Sequence, residues 1–308
     1  MNKSLVPLMA AICVTFCLHS PKAFAEDTPP QTVFGKLDNM VLSTGLGRVR
    51  LMDPSGKITW SCKAKNVHDC WMLESGNVLF ADGCVTEIDP KTDEIVWKYT
   101  PDNTRDGAFA CQRLENETTL VGENSTGRIL EIDKSGKIVF QLKVEPFREN
   151  NHHNLRMVRK LKSGNYLVCH SGAKLVREYT PQGKIIFEVE VDSLAFSAVR
   201  LESGNTLVGH IGHLTEFTPE GKAVWQFSNE DIDGVVISMM CDVHVLPCGN
   251  IAVGIYSAYK DGEGNGMFEI TRKKKLVWRY SNPGVDRNMM GVQVLNPQGK
   301  PLSDFPLR

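Results

Sequence analysis

Short apolar runs rich in Val, Ile, Leu and aromatic residues recur along the whole chain, each closed by a cluster of turn residues. The apolar positions do not hold a period of 3.6 over any long stretch; alternation and short continuous runs dominate, which is the pattern of strands. One phrase returns six times, as "LMDPSGKITW" (51–60), "EIDPKTDEIVW" (87–97), "EIDKSGKIVF" (131–140), "EYTPQGKIIF" (178–187), "EFTPEGKAVW" (216–225) and "EITRKKKLVW" (269–278). Its closing aromatics, Trp60, Trp97, Phe140, Phe187, Trp225 and Trp278, lie 37, 43, 47, 38 and 53 residues apart, a spacing typical of solenoids and propellers. A second phrase precedes five of the copies, in forms such as "HDCWMLESGNVLF" and "AVRLESGNTLV". Each unit therefore predicts four strands: one ending at a Leu, a Ser-Gly-Asn turn, an apolar strand, an "EID" strand, a Pro/Gly turn and a "KIVW" strand.

Four strands about every forty residues predict an all-β chain folded as a single six-bladed β-propeller. The first unit lacks its leading strand, and the tail "MGVQVLNPQGKPL" supplies that strand with nothing after it. The C-terminal strand is thus expected to complete the first blade, pairing near Met40–Ser43 and removing an exposed edge. The repeated aromatics are expected to be core residues, costing about 3–5 kcal/mol on truncation to Ala.

Ahead of the repeats, Lys3 is followed by "LVPLMAAICVTFCL" and "AFA", with small residues at Ala23 and Ala25. That is the layout of an export leader cleaved after Ala25, and its apolar run is too short for a membrane span. The expected organisation is a leader at 1–25, a linker at 26–38, the propeller at 39–297 and a tail at 298–308. The expected location is the periplasm or the exterior. The leader holds two of the 35 basic residues and no acidic one, so the remainder carries 33 minus 36, or −3. That balance argues against a nucleic-acid partner, and the chain is expected to be a monomer.

The repeats resemble those of secreted propellers with quinoprotein-like (PQQ-like) repeats, and "NVHDCWMLESGNVLF" is similar to the blade motif of arylsulfotransferase-like propellers. The resemblance covers essentially everything after the leader, and its motifs build blades. For a transferase it implies a histidine nucleophile at the channel entrance, with further histidines, an arginine and an asparagine around the sulfuryl group. His68-Asp69 matches the motif, and Asn154 and Arg156 start a neighbouring inner strand. Quinoprotein dehydrogenases have eight blades, calcium ligands and adjacent cysteines; this chain has no Cys-Cys, so no PQQ cofactor is expected.

In this strand order two sets of loops converge on one rim. His68, His152 and His153 fall in or beside one set and His170, His210 and His213 in the other, whereas His244 lies within an inner strand. The candidate ligand-binding residues are His68, Asp69, His153, Asn154, Arg156, His170, His210 and His213. No pair of histidines has metal-ligand spacing on one element, so no metal is expected there. The loop "DGEGNG" (Asp261–Gly266) opens like a calcium loop but lacks the closing Glu, and is read as a hairpin tip. Seven cysteines follow the leader, an odd number; Cys62 and Cys84 fall near the same rim and are the available pair, whereas Cys70 and Cys111 are read as core thiols.

The expectation is a binding module for a carbohydrate, a peptide, an anionic small molecule or an envelope protein. The alternative is a histidine-based arylsulfotransferase-like or other small-molecule enzyme at the channel mouth. If the rim histidines surround an anion, affinity should rise as pH falls through about 6.5.

Overall fold

The computed structural model describes residues 32–257, 259–260, 264–303 and 308. The expected leader and the first half of the "DGEGNG" loop, Asp261–Glu263, lie outside these residues. Six sheets of antiparallel strands form the ring. From the channel outward, with strands lettered A to D, blade 2 is Asp69–Met72, Val78–Ala81, Val85–Asp89 and Glu94–Tyr99. Blade 3 is Ala108–Arg113, Thr119–Glu123, Arg128–Ile132 and Ile138–Lys143. Blade 4 is Met157–Lys160, Tyr166–His170, Leu175–Tyr179 and Ile185–Glu190. Blade 5 is Ala195–Arg200, Thr206–His210, His213–Phe217 and Ala223–Ser228. Blade 6 is Met239–Val245, Ile251–Tyr256, Met267–Ile270 and Leu276–Ser281.

Blade 1 is assembled from both ends of the chain, with Val292–Val294 as strand A beside Val41–Gly45, Arg48–Met52 and Ile58–Lys63. The closing register is Val41↔Val294, Leu42↔Gln293 and Ser43↔Val292. The segment expected as a linker contributes a strand, because Thr32–Gly35 pairs with Leu276–Ser281 and gives blade 6 a fifth strand. No helix of the described residues is long and apolar enough to cross a membrane.

The turn phrase has a conformational cause. Gly76, Gly164, Gly204 and Gly249 take φ of 91°, 85°, 87° and 86°, the left-handed region where glycine carries no steric penalty. Six apolar clusters hold the ring, each at the seam between neighbouring blades. The seams are tight: a Cβ on Gly122 would stand 2.7 Å from Val158 Cγ2 of the next blade.

A buried Glu in strand C provides a second tie. Glu87 accepts from Asn77 of its own turn at 2.7 Å and from Arg113 of the next blade at 2.5 Å. Glu178 does the same with Asn165 and Arg200 at 2.7 and 2.6 Å. In blade 3 the turn lacks that Asn, and Glu131 is held instead by Lys160 and Tyr166 of blade 4, both at 2.5 Å.

The repeated aromatics divide, contrary to the expectation that all are core. Trp278 is 2% exposed and Phe187 is also buried, but Trp60, Trp97, Phe140 and Trp225 are only half-buried. Arg113 lies over Trp97 and Arg272 over Trp225, at 6.0 and 4.3 Å from the ring centres. These outer rings are flanked by exposed Val96 and Val224, so their truncation removes less buried surface than that of Trp278.

Inner strands are stitched to one another by side chains that reach the next blade's free backbone groups. Asp69 accepts from Cys111 N at 3.0 Å, Gln112 from Lys160 N at 2.9 Å, Asp242 from Val292 N at 2.8 Å and Gln293 from Met72 N at 2.7 Å. His244 Nδ1 accepts from Val294 N at 3.1 Å, which makes it a packed inner-strand residue.

Candidate functional site at the upper mouth of the channel

Every inner strand is followed by a leucine: Leu295, Leu73, Leu114, Leu161, Leu201 and Leu246. Five residues before each stand Met290, His68, Phe109, Arg156, Phe196 and Cys241, one per blade. This end of the channel, where the inner strands begin, is the upper mouth. Arg156 is 5% exposed and touches all five of the others. It donates to His68 Nδ1 and to Met290 Sδ, reaches the Cys241 thiol, and lies 5.9 and 5.8 Å from the ring centres of Phe109 and Phe196.

No ion pair of Arg156 is found among the described residues. Its partners are two sulfur atoms, two aromatic faces and an imidazole. Arginine can only donate, so His68 Nδ1 is the acceptor and the neutral ring carries its proton on Nε2. Burial first, and Arg156 second, push the His68 pKa well below the ordinary histidine range. A proton on His68 near pH 6.5 is therefore disfavoured, and a rise in anion affinity through that range would not come from this ring.

Within this ring His68 stacks on Phe109 at 3.7 Å. His152 stands 5.7 Å from His68 and 5.0 Å from Phe109, with His153 5.1 Å beyond. His152 Nδ1 lies 2.7 Å from Asp106 Oδ1, with 47% of its side chain open to solvent. It lines a cleft of about 450 Å³ together with Asn66, Asn103, Arg105, Asp106 and Asn150. Burial and the neighbouring His152 lower the His153 pKa.

Asn154, a predicted ligand residue, shapes this loop instead. Its Nδ2 donates to Arg148 O at 2.8 Å, its Oδ1 accepts from Arg148 N at 2.9 Å, and its own N–H reaches Asn124 Oδ1 at 2.9 Å. With every polar atom of its side chain committed, Asn154 holds the loop that carries His152, His153 and Arg156.

The remaining predicted residues do not join the mouth. Asp69 lies lower in the channel, paired with Arg159 at 2.7 and 3.1 Å. His170 is fully buried, with Nε2 2.8 Å from Tyr179 Oη, and burial pulls its pKa down to about 3. His210 and His213 stand together on the rim of blade 5, their rings 5.3 Å apart.

The lower channel is filled. Arg308 donates to Asp242 Oδ2 at 2.5 Å, Cys70 O at 2.6 Å and Val292 O at 3.1 Å. Arg159 Nε donates to the Arg308 carbonyl at 2.9 Å. Both guanidinium groups lie against the Trp71 ring, that of Arg308 at 4.5 Å and that of Arg159 at 4.9 Å from its centre. A broader cleft of about 1040 Å³ opens on the lower face beside Trp71, Trp97, Arg113 and Lys160, but its Arg113 and Lys160 are already paired with Glu87 and Glu131.

All seven described cysteines are free, Cys62 and Cys84 included. Asn265, from the "DGEGNG" loop, is buried and accepts from Val236 N at 2.6 Å, which commits that oxygen to the fold.

No family model and no curated protein matches this sequence. Among solved structures, a protein of unknown function from Bacteroides caccae is 20% identical with a TM-score of 0.72, covering 88% of this chain and 99% of its own. Virginiamycin B lyase from Staphylococcus aureus is 12% identical with a TM-score of 0.51, over 82% of this chain and 99% of its own. A catalytically inactive histidine variant of that lyase, with quinupristin, is 13% identical with a TM-score of 0.53, over 82% of this chain and 99% of its own. At these identities the likeness is one of fold.

Proposed function

We propose that this chain is an exported propeller whose upper mouth binds a small anionic or polyoxygenated ligand, with Arg156 as the principal donor. The observation that carries the reading is a guanidinium that is 5% exposed and faces only neutral partners. A buried cation without a carboxylate is costly, and an anion that reached it beside His68 and His152 would relieve that cost through charge-assisted hydrogen bonds. His68 and His152 add imidazole nitrogens for sugar hydroxyls or carboxylate oxygens. Export rests on the leader sequence at 1–25.

Calorimetric titration with sulfate, small carboxylates and a short glycan panel tests this. Arg156→Met should weaken whichever of them binds by about 10- to 100-fold, the worth of one charge-assisted hydrogen bond. Binding that is untouched by Arg156→Met, or no binding of any probe, removes the reading.

A second reading, proton-transfer catalysis, draws on the 2.7 Å contact between His152 and Asp106. A carboxylate orients the imidazole as a base, and Arg156 would stabilise negative charge developing on a substrate oxygen. The lyases of similar fold make quinupristin a reasonable first probe; consumption abolished by His152→Ala would support this reading. His68 suits the nucleophile role of the arylsulfotransferase-like resemblance poorly, since its lone pair is engaged by Arg156.

A further inference from the structure

On the upper rim of blade 5, outside the ring of six, Asp192 and the turn between Thr206–His210 and His213–Phe217 come together. One ligand-type atom from each of Asp192, His210 and His213 lies within 4.8 Å of the other two. His210 Nδ1 is 3.1 Å from Asp192 Oδ1, while its Nε2 is 3.0 Å from Thr215 Oγ1. His213 turns its Nδ1 to the Ile211 carbonyl at 3.2 Å.

The far nitrogens decide what the near ones offer. A carbonyl only accepts, so His213 Nδ1 carries the ring proton and Nε2 keeps its lone pair. Without an ion, His210 Nδ1–H donates to the Asp192 carboxylate; with one bound, the ring proton sits on Nε2, where Thr215 Oγ1 accepts it, and the Nδ1 lone pair turns to the metal beside Asp192. Both imidazoles then have the anchoring that metal-bound histidines require, one ring N–H fixed to an oxygen and the other nitrogen free for the ion. Ser193 Oγ, 3.1 Å from His210 Nδ1, accepts from Ile211 N at 3.1 Å and ties the two loops together.

We infer that Asp192, His210 and His213 form a divalent transition-metal site of zinc type, two imidazoles and one carboxylate with the remaining positions open. Tetrahedral zinc with bonds of about 2.0–2.2 Å would need its donor atoms roughly 3.3 Å apart. His210 and Asp192 already stand at 3.1 Å. His213, half-buried on its turn, and the Asp192 carboxylate, 70% exposed, are the groups free to draw in. The spacing His-x-x-His did not reveal this, because the third donor comes from the preceding loop.

The test is titration of the full chain, stripped with a chelator, with Zn²⁺ by calorimetry and with Co²⁺ by visible absorption. One equivalent should bind, and Asp192→Asn and His213→Ala should each weaken it at least tenfold. Asp192 is exposed, so its variant keeps the fold. Thr215→Val should weaken binding by about 10- to 100-fold through loss of the anchoring oxygen, and His152→Ala should leave it unchanged. Absence of stoichiometric binding, or binding that depends on His152 and not on Asp192 and His213, would overturn the inference.

Discussion

Arg156 and Arg159 are three residues apart at the start of one blade, both buried, and yet they meet opposite surroundings. Arg159, with Arg308 beside it, is matched to carboxylates, Asp69 and Asp242, and stacks on Trp71. Arg156 finds sulfur, imidazole and aromatic faces. A guanidinium whose donors are answered by the fold is a fastening across blades. One whose charge is left unanswered beneath the loop that carries His152 keeps its binding capacity for something that arrives later. Burial alone does not separate the two roles; the identity of the partners does.

The harshest way to break the lower fastening is to remove residues 289–308, which deletes strand A of blade 1 and Arg308 together. Failure to recover folded protein is the expected result, whereas a truncated chain with an unchanged melting temperature would mean that closure matters little. Asp242→Ala is the sharper cut. Leaving Arg308 buried without its carboxylate should cost about 3–5 kcal/mol in urea unfolding, and a loss below about 1 kcal/mol would show that the pair is not a fastening.

Acid should separate the regions next. His68, His170 and His244 are held below the ordinary histidine value, chiefly by burial. The unfolded chain therefore takes up protons first as pH drops below about 6.5, and stability falls by up to about 1.4 kcal/mol per pH unit for each such ring until its folded value is reached. Asp286, pushed up to about 6 by burial, acts in the opposite direction. Denaturant midpoints at pH 7.5 and 5.5 check the sign; greater stability at the lower pH would contradict the neutral assignment of these rings. The smallest stability effect is expected from Arg156→Met, within about 1 kcal/mol of the parent, because the fold loses no ion pair there. A collapse comparable to that of Asp242→Ala would place Arg156 among the fastenings.

The blades were legible because each must solve the same turn problem, and Gly76, Gly164, Gly204 and Gly249 answer it with one residue type. The mouth was not, because its six equivalent positions carry Met290, His68, Phe109, Arg156, Phe196 and Cys241, which share no chemistry. Counting five residues back from the repeated leucine would have found them. Counting histidines on the rim misled: His170 points into a blade and bonds Tyr179, and His210 faces Asp192. Arg156 was found from its place at the head of a strand, whereas Asp106 required knowing which loop folds over which. The partnership of Arg308 with Cys70 and Asp242 joins positions 238 and 66 residues apart, beyond the reach of any local pattern. The Glu of the repeated phrase stands in five of its six copies, yet nothing in a strand pattern says that this Glu is buried or what it ties.

The closing register also sets a timetable. Val41 pairs with Val294 and Ser43 with Val292, so the second strand of blade 1 leaves the ribosome some 250 residues before its partner. At roughly 5–20 residues per second, that interval is on the order of 10–50 s, during which Val41–Gly45 has Arg48–Met52 on one side and an open edge on the other. For that time the nascent chain carries an adhesive border that its own last strand must reach before another chain does.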